Sequence, residues 1–188
     1  EKSLNFQLGD KSLLVTFHPV TLENSTAEQQ CMNLLESLES FPDYRIIFTF
    51  PNSDTDGRII IDLIKRFVER HRSESVAFVS LGKVRYLSTL QYVSAVVGNS
   101  SSGIIEVPSF GIPTLNIGDR QKGRISSRSV VHCGTSKEDI CLGIQTVLSD
   151  PVVRIAKQKR NPYDKEGTAD AICTILKTVS WDGLTSKS

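Results

Sequence analysis

Val97-Gly98-Asn99-Ser100-Ser101-Ser102-Gly103-Ile104-Ile105-Glu106 is the stretch on which the reading of this chain turns. The apolar run Ala95-Val96-Val97 gives way to small polar residues, and a helix-compatible apolar run follows through Ile104, Ile105, Val107 and Phe110. That order predicts a strand, a tight loop and a helix. Gly98 and Gly103 let a backbone approach a ligand closely and take conformations other residues avoid. Three serine hydroxyls, with the N–H groups of a helix start, suit an anion such as phosphate. Glu106, about one turn into the helix, is placed to accept hydrogen bonds from a ribose diol. The same residues also fit a plainer reading, a serine-rich loop capping an ordinary helix with Glu106 favourable to its dipole.

Outward from this stretch, six short apolar runs read as strands: Ser12–Phe17, Arg45–Phe50, Val76–Val79, Ala95–Val97, Thr114–Ile117 and Val130–His132. They are mostly continuous rather than alternating, as expected of parallel strands covered on both faces. Helical patterns separate most of them. Ser25-Thr26-Ala27-Glu28 has the form of a capping box and leads into Ala27, Cys31, Leu34, Leu35 and Leu38 on one face. Ile60, Leu63, Ile64, Phe67 and Val68 mark a second helix, and Tyr86, Leu87, Leu90 and Val93 a third. The fourth begins near Gly103, and Ser136 opens a fifth with Ile140, Ile144, Val147 and Leu148 facing inward. A last helix is expected over Thr168–Val179, through Ala171, Ile172, Ile175 and Leu176. The alternation implies an α/β, doubly wound parallel (Rossmann-like) sheet with right-handed crossovers. Residues 1–180 are expected to form this domain and 181–188 a tail.

Composition narrows the function. With 188 residues the chain suits one full core, and 39% hydrophobic and 23% charged residues are ordinary for a soluble globular protein. A net charge of +1 argues against a general nucleic-acid surface. No apolar stretch approaches the roughly 20 residues that span a bilayer, and the N-terminus lacks signal-peptide regions. Cys31, Cys133, Cys141 and Cys173 show no paired ligand spacing, and His18, His71 and His132 form no local metal motif. Buried thiols in a reducing cytoplasm are the expectation, with no metal and no cofactor.

In an open parallel sheet ligands gather at the carboxyl ends of the strands. His18, Pro19 and Thr21 follow the first strand. Pro51, Asn52, Asp54 and Asp56 follow the second, and Leu81-Gly82 the third. Asn99–Gly103 follow the fourth and Gly118-Asp119-Arg120 the fifth. All would lie along one rim. Each has a bland reading too: the Asn52 segment as a turn with a helix cap, His18 as a structural hydrogen-bonding residue, Arg120 as a solvated loop charge rather than a pyrophosphate clamp.

Together, Ser12–Glu23, Phe50–Arg58, Val97–Arg124 and Asn161-Pro162-Tyr163 resemble the UDP-N-acetylglucosamine 2-epimerases, most closely the hydrolysing branch that feeds sialic-acid synthesis. The likeness runs from about Ser12 to Val179 and matches the second half of those two-domain GT-B enzymes, whose active site lies between the domains. The resemblance implies that Ser100, Ser101, Ser102 and Gly103 hold the diphosphate of UDP, that Glu106 takes the ribose hydroxyls and that Arg120 sits near the phosphates. It implies a uracil near Leu81-Gly82, with Asn52 also at the substrate, and a catalytic His18 that helps UDP depart. The non-hydrolysing enzymes carry His-Arg where this chain has His18-Pro19, which favours the hydrolysing branch. Asp164-Lys165-Glu166-Gly167 replaces the Gly-Asp-Gly of some relatives and leaves that loop's role open.

The implied partners are UDP, UDP-N-acetylglucosamine and an N-terminal domain that supplies the base. Homo-oligomerisation is left open, and neither nucleic acid nor membrane is expected. The remaining readings are a UDP-sugar glycosyltransferase of the same architecture and a non-catalytic UDP-binding module.

Overall fold

Ser12–Thr16 (β1) is buried at every position, and its side chains divide between two cores. Leu13 and Val15 join one apolar cluster while Leu14 joins another, because alternate strand residues point to opposite faces. A strand wet on neither side needs helices on both. The computed structural model describes residues 3–20, 26–51 and 55–179.

After β1 the chain builds α1 (Ala27–Leu38), β2 (Arg45–Thr49), α2 (Thr55–Arg70) and β3 (Ser75–Phe78). It then returns through α3 (Gly82–Thr89) to β4 (Ala95–Gly98), laid on the other side of β1. Two short helices, α4 (Ser102–Ile105) and α5 (Val107–Phe110), lead to β5 (Thr114–Ile117) and β6 (Val130–Cys133). The chain continues through α6 (Lys137–Val147), α7 (Asp150–Ala156) and α8 (Thr168–Thr178). The sheet order is β3-β2-β1-β4-β5-β6, every pair parallel. Strand order reverses between β1 and β4, the crevice where such sheets take ligands.

One face of the sheet is covered by α1, α2 and α6, whose contributions include Leu34, Leu38, Ile60, Ile64, Phe67 and Ile144, each no more than 2% exposed. Burying each of these large apolar side chains contributes about 1.5–3 kcal/mol. Leu81, Leu90, Val93 and Val107 close the other face over Leu14, Ile47 and Val96. Gly98 is what permits the switch point. It has φ +140°, and a Cβ there would lie 1.9 Å from the Thr16 carbonyl oxygen. Only glycine lets β4 close against the end of β1.

The parallel doubly wound sheet is the expected one, and the six strands agree to within a residue at each end. Several local expectations change. The helix expected from Gly103 to Phe110 is two single turns, with Glu106 as the C-cap of α4 and the N-cap of α5, and Pro108 in the first turn of α5. α7 was not expected, although Ser149-Asp150-Pro151 has the form of a helix start. α8 forms where expected but buries none of its residues, with Ile172, Ile175 and Leu176 between 50% and 60% exposed. Ser25 of the anticipated capping box, Asn52 and the 181–188 tail lie outside the described residues. Among the described residues no helix is long and apolar enough to cross a membrane. All four cysteines are free thiols, as expected over disulfides, but they are not all buried: Cys31 is buried, Cys133 and Cys141 half-buried, and Cys173 exposed.

Candidate nucleotide site

His18 leaves β1 at the switch point, and Asn99 fixes its backbone. The His18 N–H donates to Asn99 Oδ1 at 2.7 Å, and Asn99 Nδ2 donates to the His18 carbonyl at 2.8 Å. Asn99 is 1% exposed, and its own N–H is spent on the Thr16 carbonyl. The Asn99 carbonyl accepts from Arg120 Nη1 at 3.1 Å and from Gln121 Nε2 at 2.8 Å. One buried residue thus joins the loops after β1, β4 and β5.

Beside this clasp opens a cavity of about 460 Å³ whose lining includes His18, Ser100, Ser102 and Glu106 together with Phe50, Val79, Leu81, Gly82 and Tyr86. Six residues expected at the site therefore line one cavity: His18, Leu81, Gly82, Ser100, Ser102 and Glu106. Glu106 is exposed at the break between α4 and α5, so its carboxylate is free of the core. The N–H groups and hydroxyls of Ser100 and Ser101 donate no hydrogen bond among the described residues, although Ser100 Oγ accepts from the Ser102 N–H at 3.4 Å. These unspent donors suit an anion without needing the dipole of a long helix, which the one-turn α4 does not provide.

Gly103 does something other than expected. It is buried, its carbonyl accepts from Thr114 Oγ1 at 2.9 Å, and a Cβ would meet Thr114 Cγ2 at 2.8 Å, so its small size serves packing against β5. Gly98 likewise serves the approach of β1 rather than of a ligand. Neither Ser101 nor Arg120 lines the cavity. The Arg120 guanidinium, though its residue is exposed, lies partly out of solvent against Asn99, and burial first and the Arg124 charge second lower its pKa. It remains a cation at neutral pH.

Two residues escaped the sequence reading. The sequence shows Asn99 only as a loop residue, and nothing in a Gly-Asn-Ser string says that its carboxamide pairs with a backbone 81 positions away. Tyr86 was placed among the apolar residues of α3, yet its hydroxyl pairs with Ser102 Oγ at 2.5 Å. Burial pushes the Tyr86 phenol up to about 12, with the Ser102 bond opposing and the Glu106 charge adding to the rise. The phenol therefore stays protonated across the physiological range. Among the described residues no group of three or more His, Cys, Asp or Glu side chains is placed to hold a metal ion.

A doubly wound sheet with unspent donors, an exposed carboxylate and a half-apolar cavity at its switch point defines an α/β domain of the class that takes ligands at the carboxyl ends of its strands. Comparison with known proteins is more specific. The family model for UDP-N-acetylglucosamine 2-epimerase matches residues 1–177, and the chain belongs to that family. It is 36% identical over 131 residues to the GDP/UDP-N,N'-diacetylbacillosamine 2-epimerase (hydrolyzing) of Campylobacter jejuni, covering 70% of this chain and 34% of that protein. It is 34% identical over 165 residues to the polysialic acid biosynthesis protein P7 of Escherichia coli, covering 87% of this chain and 42% of that one. A co-structure of S. aureus MnaA with UDP superposes with a TM-score of 0.70 at 14% identity, over 92% of this chain and 49% of the other. At that identity the likeness speaks for the fold, which glycosyltransferases also share. The chain spans less than half the length of these curated relatives.

Proposed function

We propose that this chain is the UDP-binding half of a hydrolysing UDP-N-acetylglucosamine 2-epimerase, the second half of a GT-B pair of domains, converting UDP-N-acetylglucosamine to N-acetylmannosamine and UDP. The observation that carries the reading is the convergence of His18, Ser100, Ser102, Glu106, Leu81 and Gly82 on one cavity at the switch point. The nucleobase lies against Leu81-Gly82, the ribose diol on Glu106, and the diphosphate on the Ser100 and Ser101 donors with Arg120 near its far oxygens. The hydrolysing branch is supported by His18-Pro19 and by the similarity to the hydrolysing Campylobacter epimerase, and a place in sialic-acid synthesis by the similarity to the E. coli polysialic acid biosynthesis protein.

Loss of the proton at C2 and of UDP from C1 leaves a 2-acetamidoglucal, to which water adds to give N-acetylmannosamine, and the first step builds negative charge on the departing diphosphate. Fixed N–H groups, serine hydroxyls and Arg120 stabilise that charge without reorganising. His18, held by Asn99 at the cavity wall, contacts the leaving group. The C2 proton needs a general base at close contact, which belongs to the domain facing this rim. Alone, this chain binds UDP and does not turn over.

Calorimetry of the chain with UDP, repeated on Glu106→Ala, tests the binding half. No heat at millimolar UDP, or heat unchanged in the variant, refutes it. With the partner domain present, release of UDP and N-acetylmannosamine without an acceptor sugar is expected, and a strict need for an acceptor refutes the epimerase reading. His18→Ala there lowers kcat more than it weakens UDP binding.

A further inference from the structure

The part of the nucleotide cavity formed by Leu81 and Gly82 belongs to a short loop between β3 and α3, and burial alone does not hold that loop. Val79 is 81% exposed, Ser80 and Gly82 are exposed too, and of these four residues only Leu81 is buried. Gly82 turns the chain with φ +60°, and its N–H donates to Ser80 Oγ at 3.0 Å. A loop with so little packing needs another source of order if a ligand is to find it ready formed.

Arg85, in the first turn of α3, is that source. Its Nε donates to the Leu81 carbonyl at 3.0 Å and its Nη2 to the Ser80 carbonyl at 3.1 Å. Its Nη1 reaches the Ser3 carbonyl at 3.4 Å, and the guanidinium carbon lies 5.7 Å from the centre of the Phe78 ring. Ser3 precedes Leu4 and Leu8, which share an apolar core with Leu81 and Leu90, so the group that grips the loop is itself anchored. All three nitrogens of the planar fork are thus spent on main-chain acceptors, a geometry that an ammonium group does not reproduce. Among the described residues no carboxylate lies within ion-pair distance of Arg85. Nor does Arg85 line the cavity, so it acts on a ligand only through the loop.

We propose that Arg85 is a positioning residue for the nucleobase: from behind the cavity its guanidinium fixes the Ser80 and Leu81 carbonyls, and with them the loop on which the base lies. The inference rests on the UDP reading and adds to it a residue that touches no ligand atom. The effect of Arg85 falls on the nucleoside end alone, because that reading puts the diphosphate on Ser100 and Ser101, in a different loop. Freed from Arg85, the loop has to be ordered by the ligand itself. Fixing the backbone of one residue costs a factor of about 5–30 in an equilibrium constant, and UDP binding loses a factor of that size.

The test is calorimetry of the full chain, of Arg85→Ala and of Arg85→Lys with two probes: UDP, and inorganic pyrophosphate, which keeps the diphosphate and lacks the nucleoside. Both substitutions are expected to weaken UDP about tenfold and to leave pyrophosphate within about twofold. The lysine variant keeps the charge and loses the fork, so parental UDP affinity in Arg85→Lys would make the role one of charge and overturn the proposal. An equal loss of both probes overturns it too, as does parental UDP affinity in Arg85→Ala. In the uniformly ¹⁵N-labelled parent the Arg85 Nε–H signal should move with UDP and not with pyrophosphate. A signal indifferent to UDP counts against the role, and this spectrum decides the matter if melting temperatures show that a variant does not fold. A parent chain that gives no heat with UDP sinks the UDP reading and this inference together. A parent that binds UDP beside variants that bind it equally well leaves the reading standing and removes only the role of Arg85.

Discussion

Replacing Asn99 by alanine tests whether one buried carboxamide holds the site together. The change removes two hydrogen bonds to the His18 backbone, at 2.7 and 2.8 Å. It spares the Asn99 carbonyl that Arg120 and Gln121 use. Each bond contributes about 0.5–1.5 kcal/mol net, so the pair contributes about 1–3 kcal/mol. In a chain of this size that lowers the melting temperature by about 3–10 °C. UDP affinity should fall as well, because the loop carrying His18 is no longer tied to the loop carrying Ser100 and Ser101. Asn99→Asp keeps the acceptor for the His18 N–H but loses the donor and buries a charge, so it should destabilise at least as much. Urea denaturation and calorimetry with UDP are the assays. An Asn99→Ala protein within about 0.5 kcal/mol of the parent in stability, with unchanged UDP affinity, would refute the clasp.

Gly98→Ala should fail to fold, or lose more than about 3 kcal/mol, since its Cβ would sit 1.9 Å from a backbone oxygen in β1; a soluble variant with parental far-UV and near-UV dichroism would be contrary. Tyr86→Phe removes the bond to Ser102 Oγ and keeps the ring, so UDP affinity should drop about two- to tenfold by calorimetry with little loss of melting temperature. Burial raises the Cys31 thiol from 9.0 to about 12. The unfolded chain therefore sheds that proton first, and stability is full below pH 9 and declines as pH rises towards 12. Urea midpoints at pH 9 and 11 should show Cys31→Ala losing about 2 kcal/mol less than the parent over that interval. At pH 8, maleimide should label Cys173 readily and Cys31 only on unfolding, as read by mass spectrometry.

The strands were legible because a parallel strand covered on both faces must be apolar nearly throughout, and that shows as short unbroken runs such as Leu13–Val15 and Ala95–Val97. The helices of the α1/α2/α6 layer were legible for the same reason at a period near 3.6, as in Ile60, Ile64 and Phe67. The polar loop ends were legible as a set because a doubly wound sheet carries them all to one rim, so His18, Leu81, Gly82, Ser100, Ser102 and Glu106 could be named together before any contact was known. Local sequence did not disclose the break at Glu106 or that α8 buries none of its apolar side among the described residues, since periodicity reports a helix but not what lies against it.

Which atoms face each other across the switch point was a tertiary matter. The glycines of Gly98-Asn99-Ser100-Ser101-Ser102-Gly103 announce tight backbone, but only the packed sheet shows that the tightness is against Thr16 and Thr114 rather than against a ligand. Asn99, Tyr86 and Gln121 take their roles from partners 81, 16 and 22 residues away. Residue type and periodicity determine which segments form strands and helices. Contacts at such separations are chosen only when the sheet order is set, because hydrogen bonds depend on atomic distance and direction, which no local pattern encodes.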